Sequence, residues 1–488
     1  MRREEAAAIM VTLMALACAA PRGSAGGGAR GPASASSTKL ASAKTSHGGS
    51  GSGGGGGDVT LLARAPLGPL SVGKWQLPNG LTVVLAPDPM ATSVSYMTWY
   101  RVGSRDEDEA AGETGLAHLF EHLMFTQTKN HPVGEFDRAI EAAGGNSNAM
   151  TYYDFTAYMN DVPPSELGVA AHLEADRMVN LDLRKRQVDN ERDVVVEERL
   201  SSVEDSVDGV LDEIMYKQAF KTHPYRWPVI GWMKDIKAVT PEKAVAFYRR
   251  FYAPDNAVVV VSGRFDEAAT LELITKAYGQ IPASPGTPRR DCTPELAPAA
   301  EVRSIVERPV PADRVAIGFP APGLGDGDRA AYEIAAEILA GGPSSRLQRE
   351  LVVDKAIASS VHGDVAPTKD PGLYGLWIQM TKGHSAEAAE ARVLAAVADL
   401  AARAVAEREL AAAKARVETE FWRDLSSSHG RSERLGEFEI ATGDFRRAFA
   451  RGEELAAVTT ADVQRVVTRY LAGGARSVVI ARSKAGTP

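Results

Sequence analysis

Two stretches of this chain, 219 residues apart, read alike, and no other feature restricts the fold so tightly. Residues 240–261 run TPEKAVAFYRRFYAPDNAVVVV and residues 459–480 run TTADVQRVVTRYLAGGARSVVI. Thr240 meets Thr459, Arg250 meets Arg469, Phe251 meets Tyr470, and Val259-Val260 meet Val478-Val479. Each reads as a Thr-capped helix, an aromatic residue, a turn and a buried strand. Midway lies a connector, residues 281–302, whose five prolines within 22 residues forbid a continuous element. A repeat on either side of such a connector implies an α+β fold built of two duplicated α/β domains. The 488 residues leave each copy enough chain to bury a core without staples.

Hydrophobic period and turn chemistry place strands at 75–89 (turning at Asn79-Gly80), 91–102, 150–160, 257–262, 313–319 and 374–380. Helices are expected at 112–125, 136–143, 164–181, 186–216, 241–251, 328–339, 346–354, 384–423 and 431–440. The domains expected are 58–280 and 303–488, joined by the connector. Ahead of them, residues 1–20 carry Arg2 and Arg3 and then an apolar run. That run is short for a bilayer span and suited to a signal-peptide core, although Glu4 and Glu5 offset the basic start. Ala-Leu-Ala-Cys ending at Cys18 resembles a lipoprotein signal, so a lipidated Cys18 would tether the chain to a membrane. Residues 21–57, rich in Gly, Ala and Ser, form a flexible tether in this reading. Export, to a periplasm or an outer-membrane surface, is the expectation.

Apolar residues at 44% and charged residues at 24% are ordinary for a globular chain, and a net charge of −8 gives no attraction to nucleic acid. Only two cysteines occur, Cys18 and Cys292, which excludes a disulfide framework and a cysteine metal cluster. Any metal must be held by His and carboxylates.

The segment GLAHLFEHLMF, residues 115–125, supplies them. His118 and His122 stand i,i+4 on a helix, so both imidazoles leave one face, with Glu121 beside them. Two imidazoles one turn apart can chelate one Zn2+, and a neighbouring carboxylate can take a proton from the water that the metal acidifies. Leu116, Leu119, Phe120 and Leu123 bury the rest of the helix. A third ligand is sought in NERDVVVEERL, residues 190–200. Glu191 and Glu198, seven apart, share a helix face and Glu197 points elsewhere; Val194 and Val195 suggest packing on the core. Glu198 would complete a His/His/Glu set, with Glu191 one shell out against a ligand histidine. Without the histidine pair, the run reads as a solvated charged helix.

His118-Leu-Phe-Glu121-His122 is the inverted zinc motif, and the chain resembles the pitrilysin/insulinase (M16) family of zinc peptidases. The likeness is to its half-length branch, which includes the mitochondrial processing peptidase β subunit and paired bacterial chains. It covers about residue 75 to the C-terminus. The resemblance implies two domains of that peptidase's metallohydrolase type, and one zinc on His118, His122 and Glu198. Glu121 would be the general base and Glu191 an accessory member of the catalytic set. In the family the third ligand follows the second histidine by about 76 residues and the accessory Glu by seven; Glu198 matches both spacings. Residues 144–151, GGNSNAMT, resemble the segment leading into an edge strand that pairs with peptide, which assigns Asn148, Ala149 and Thr151 to substrate. His223-Pro224-Tyr225 and residues 251–256 look like architectural landmarks.

The second half departs from the family pattern of Ser-Arg-Leu, Arg-Glu and Gly-Leu-Ala-Tyr. This chain has Ser345-Arg346-Leu347, Arg349-Glu350 and Ala356-Ile357-Ala358-Ser359. Arg349 keeps a substrate-binding assignment, but Ser359 stands where a Tyr is expected, and a short hydroxyl cannot reach an oxyanion as a phenol does. Tyr374 is one substitute; a second M16-like chain supplying the Arg/Tyr pair, in a hetero- or homodimer, is the other. The expected activity is zinc-dependent endopeptidase cleavage of peptides or unfolded segments. Its rivals are a non-catalytic scaffold subunit and a zinc hydrolase of small amides.

Overall fold

Valine-rich β7, AVVVVSG, is buried at every residue, as befits a strand covered on both faces of its sheet. The structure, a computed structural model, describes residues 58–284, 286 and 292–483. The N-terminal run with Cys18, the tether and part of the connector lie outside the described residues. The first sheet comprises β1 (Thr60–Leu67), β2 (Leu70–Gln76), β3 (Thr82–Pro87), β4 (Val94–Tyr100), β5 (Asn146–Thr151), β6 (Thr156–Val162) and β7 (Ala257–Gly263). Their spatial order is β1-β2-β3-β7-β4-β6-β5. The second comprises β8 (Glu301–Arg308), β9 (Arg314–Ala321), β10 (Ala358–Val365), β11 (Gly372–Met380) and β12 (Arg476–Ser483), ordered β10-β11-β9-β12-β8.

Set aside the β1–β2 hairpin and the two orders are one: first, fifth, second, fourth, third. In each sheet the last strand inserts between the first, which it meets parallel, and the second, which it meets antiparallel. The duplication read from residues 240–261 and 459–480 is therefore a duplication of topology.

The helices are α1 (Leu116–Leu123), α2 (Glu135–Ala142), α3 (Leu167–Asn180), α4 (Lys185–Arg199), α5 (Val207–Ala219), α6 (Met233–Lys237), α7 (Pro241–Phe251) and α8 (Glu267–Tyr278) in the first half. The second half has α9 (Arg329–Ala340), α10 (Ala386–Ala402), α11 (Glu407–Ser426), α12 (Ser428–Thr442), α13 (Arg447–Ala457) and α14 (Thr460–Val466). The repeated threonines do cap: Thr240 Oγ1 accepts from the Lys243 N–H and Thr459 Oγ1 from the Asp462 N–H.

Each half lends a helix to the other. On the first sheet, Leu435 and Phe438 of α12 join Met97, Trp99, Val258 and Val260 in one apolar layer. Gly436 permits this, because a Cβ there would sit 2.2 Å from the Trp99 ring. Reciprocally, Leu211 and Met215 of α5 pack with Ala316, Leu373 and Val479 of the second sheet. A buried polar cluster joins the halves as well. Arg105 meets Asp154 at 3.1 Å and Asp370 at 2.6 Å, Tyr225 Oη donates to Asp154 at 2.9 Å, and His223 Nε2 lies 3.1 Å from Asp370. The residues of the His-Pro-Tyr landmark thus act as a cross-domain fastening.

The structure differs from the pattern reading in several places. Residues 150–160 are not one strand but the hairpin β5–β6, turning where the aromatic run had looked continuous. The stretch 186–216 is broken by a wide turn at Leu200–Glu204, and 384–423 is two helices, α10 and α11. Edge strands β1, β8 and β10 lack a clean alternation of buried apolar and exposed polar residues: β1 exposes Leu61 and Leu62, β8 exposes Ile305, and β10 is largely polar. Among the described residues, no helix is long and apolar enough to cross a membrane.

Candidate metal centre

Helix α1 is short, and what fixes it is mostly outside it. Leu116, Leu119, Phe120 and Leu123 are buried, and the Phe120 ring stacks on Phe247 and Tyr248. The helix starts from Gly115, whose φ of 90° suits glycine and which has no side chain to cap the free N–H groups. Glu107 does that work. Its fully buried carboxyl group accepts from the Gly115 N–H at 2.9 Å and the Ala117 N–H at 2.8 Å, filling two of the helix's free donors, while burial pushes it well above the usual carboxylate range. No local spacing announces this contact, and the sequence reading missed it.

Helix α4 crosses α1. Val188 and Val195 are buried against the core, whereas Val194, expected to pack with Val195, is exposed. Arg199 anchors the end of α4 by donating to the Gly231 carbonyl at 2.8 Å. The two anchored helices bring His118, His122 and Glu198 together, with one ligand atom from each lying within 4.8 Å of the others. Glu198 Oε2 is 3.2 Å from His122 Nε2 and 3.7 Å from His118 Nε2. One ion bonded to N and O at about 2.0–2.1 Å in a tetrahedron requires ligand atoms about 3.3 Å apart. His122 Nε2 and Glu198 Oε2 are moreover buried and face each other without a hydrogen bond. Orphaned acceptors so arranged fit a divalent cation between them. Two histidines and one carboxylate are a donor set that zinc takes, with a fourth position left open.

The electrostatics differ between the two histidines. Burial pulls the His118 imidazole below its ordinary range, which favours the neutral ring a metal needs. Burial also works against the charged form of His122, but the Glu198 and Glu121 carboxylates outweigh it and hold this ring above its ordinary range. Glu198 is raised by burial but, next to both histidines, ends below the usual range of a glutamate. Glu191 lies on the other side of His122, with Oε2 3.9 Å from Nδ1. Glu121 is buried on α1 between the histidines and accepts a hydrogen bond from Thr151 Oγ1 at 2.6 Å.

The residues expected to bind substrate separate into two groups. Asn148, Ala149 and Thr151 lie on β5, the edge strand of the first sheet, alongside α1. Asn148 is exposed, and its Oδ1 accepts from the Ala149 N–H at 2.9 Å. Arg349 is exposed on the wide helical turn Gln348–Asp354 of the second half, and makes no ion pair with the cluster. Ser359, at the start of β10, donates to the Gln379 carbonyl at 3.2 Å. Ala356, where the family pattern has Gly, is the non-glycine residue found at positive φ, 51°, among the described residues. Tyr374 does not replace the missing phenol: it is fully buried in the second core, with Oη directed to the Ala336 carbonyl.

Residues 82–231 match the family model described as Insulinase (Peptidase family M16), and residues 238–417 match Peptidase M16 inactive domain. A zinc protease of Helicobacter pylori is 31% identical over 355 residues, covering 72% of this chain and 80% of that one. The mitochondrial-processing peptidase subunit beta of Blastocladiella emersonii is 26% identical over 416 residues, 82% of this chain and 87% of that one. The crystal structure of a protease from Helicobacter pylori superposes with a TM-score of 0.80 at 28% identity, over 84% of this chain and 99% of that one.

Proposed function

The chain belongs to the M16 (insulinase) family, and from that premise we propose that it is a zinc-dependent endopeptidase of peptides or unfolded protein segments. The observation that carries this reading is the convergence of His118, His122 and Glu198 with a buried Glu121 between the two histidines. Zinc, when bound, supplies a Lewis acid that polarises the scissile carbonyl and acidifies water. The residues do the rest. His118, His122 and Glu198 hold the ion, and Glu191 steadies His122 from its other nitrogen. Glu121 accepts a proton from the attacking water and returns it to the amine nitrogen as the C–N bond breaks. A peptide extended along β5 exchanges its main-chain hydrogen bonds for the one that the Asn148 side chain now makes with Ala149, which demands little of its sequence.

The same reading gives the chain a partner of its own family, hetero- or homodimeric, that contributes the Arg/Tyr pair. It is supported by Ser359 at the Tyr position, by the burial of Tyr374, and by similarity to a relative named as a subunit. A non-catalytic scaffold subunit is the second reading, and Ser359 is the observation in its favour. The apolar run at residues 6–20 supports export, to a periplasm or an outer-membrane surface, with Cys18 as lipid anchor.

The test uses the full chain, alone and mixed with a candidate partner of the family. Bound zinc is quantified and cleavage of an unstructured quenched peptide is followed. About one zinc per chain is expected, with cleavage only in the mixture and a loss of at least about 100-fold in Glu121→Gln. Zinc without turnover in either sample would favour the scaffold reading, and a folded sample without zinc would refute the mechanism.

A further inference from the structure

One oxygen of the base is already engaged. Glu121 is 3% exposed, and its Oε2 accepts a 2.6 Å hydrogen bond from the Thr151 hydroxyl. Thr151 is itself 9% exposed and closes β5, the strand at the open edge of the first sheet. Along β5 the buried residues are Ala149 and Thr151, while Asn146 and Asn148 are exposed, so the period of two sets the Thr151 side chain on the buried face with Ala149. A threonine whose hydroxyl is spent on Glu121 is poorly placed to contact a peptide with its side chain.

We propose that Thr151 is a positioning residue: by donating to Glu121 Oε2 it fixes the carboxylate plane so that Oε1 is the oxygen that takes the proton. The proposal rests on the peptidase reading. A carboxylate that is free to turn about its last bond presents either oxygen in a range of directions, whereas a base must lie within about 2.6–3.2 Å of the proton it removes. A hydrogen bond to an ionised acceptor is roughly twice as strong as a neutral one, enough to select one orientation. The water proton passes to Oε1, then to the leaving nitrogen, and Thr151 keeps its own proton throughout. Because Thr151 also belongs to the strand that would pair with the peptide, one backbone segment sets both the substrate's register and the direction of the base.

The test compares Thr151→Val, which keeps the shape and loses the donor, with Thr151→Ser, which keeps the donor. Both are made in the full chain, assayed with whatever partner activity requires, and crystallised. The expected result is a fall in kcat of about tenfold or more for the valine variant. KM should stay within about twofold, zinc content should not change, and the serine variant should recover most of kcat. In the valine crystal the Glu121 carboxylate should leave its single orientation. A rise in KM with kcat intact would overturn the proposal in favour of direct substrate contact, as would a valine variant with Glu121 unmoved and full turnover. If the parent chain cleaves nothing, the peptidase reading fails, and the Glu121 orientation in the two crystals decides the positioning role by itself.

Discussion

The two domains share their strand order, their strand polarity and even their threonine caps, yet among the described residues the candidate metal centre lies in one alone. The divergence falls between the second and third strands of the unit. In the first domain that interval holds α1, anchored at its start by Glu107 and carrying His118, Glu121 and His122 on a helix that is otherwise apolar. In the second it holds α9, RAAYEIAAEILA, buried along most of its length. Its polar groups are used internally: Arg329 donates to the Pro322, Val365 and Ala366 carbonyls and Tyr332 to the Pro320 carbonyl. Its two carboxylates, Glu333 and Glu337, pair with Arg451 and Arg416, and α9 carries no histidine. A shared scaffold thus supplies an edge strand and a helix beside it twice, and in the first domain that helix and α4 together carry the candidate ligands.

The comparison can be tested by unequal and equal substitutions. The largest effect should come from His118→Ala, which removes a proposed ligand. Zinc affinity, measured by chelator competition, should fall by more than the roughly 10–100-fold that outer partners carry, and cleavage should vanish. Glu337→Gln on α9 should leave zinc untouched; a loss there would mean that the second domain contributes to the centre. Next in size is Asp154→Ala, which takes a buried partner from Arg105 at the junction of the halves. A destabilisation of about 3 kcal/mol by urea unfolding is expected, and a negligible change would show that the halves stand independently. Smallest are the matched caps. Thr240→Ala and Thr459→Ala should each cost about 1 kcal/mol, and a large disparity in their melting shifts would mean that the repeated segments have drifted apart energetically.

The sequence was most informative where local periodicity and chemistry coincide. The i,i+4 histidines on an apolar helix and the seven-residue interval of Glu191 and Glu198 could be read directly, and the structure brings those side chains together. The repeat gave the duplication because a capped helix leading into a buried strand is a local pattern. Contacts set by distant backbone left no such trace. Glu107 reaches the helix start across a loop, Thr151 reaches Glu121 from another element, and the helix exchange depends on Gly436 meeting Trp99 from far along the chain. The β5–β6 turn was hidden because Tyr152, Tyr153 and Phe155 have strand propensity but serve here to pack the hairpin against its neighbours.

The exchanged helix also has a consequence for how the molecule is made. The strands of the first sheet are all synthesised by Gly263, but the helix covering their second face is not complete until Thr442. At 5–20 residues per second those roughly 180 residues take about 10–40 s. Throughout that interval Met97, Trp99, Val258 and Val260 lack Leu435 and Phe438, the side chains that α12 later lays against them. The first half therefore leaves the ribosome with one layer of its core still to be completed by a helix of the second half.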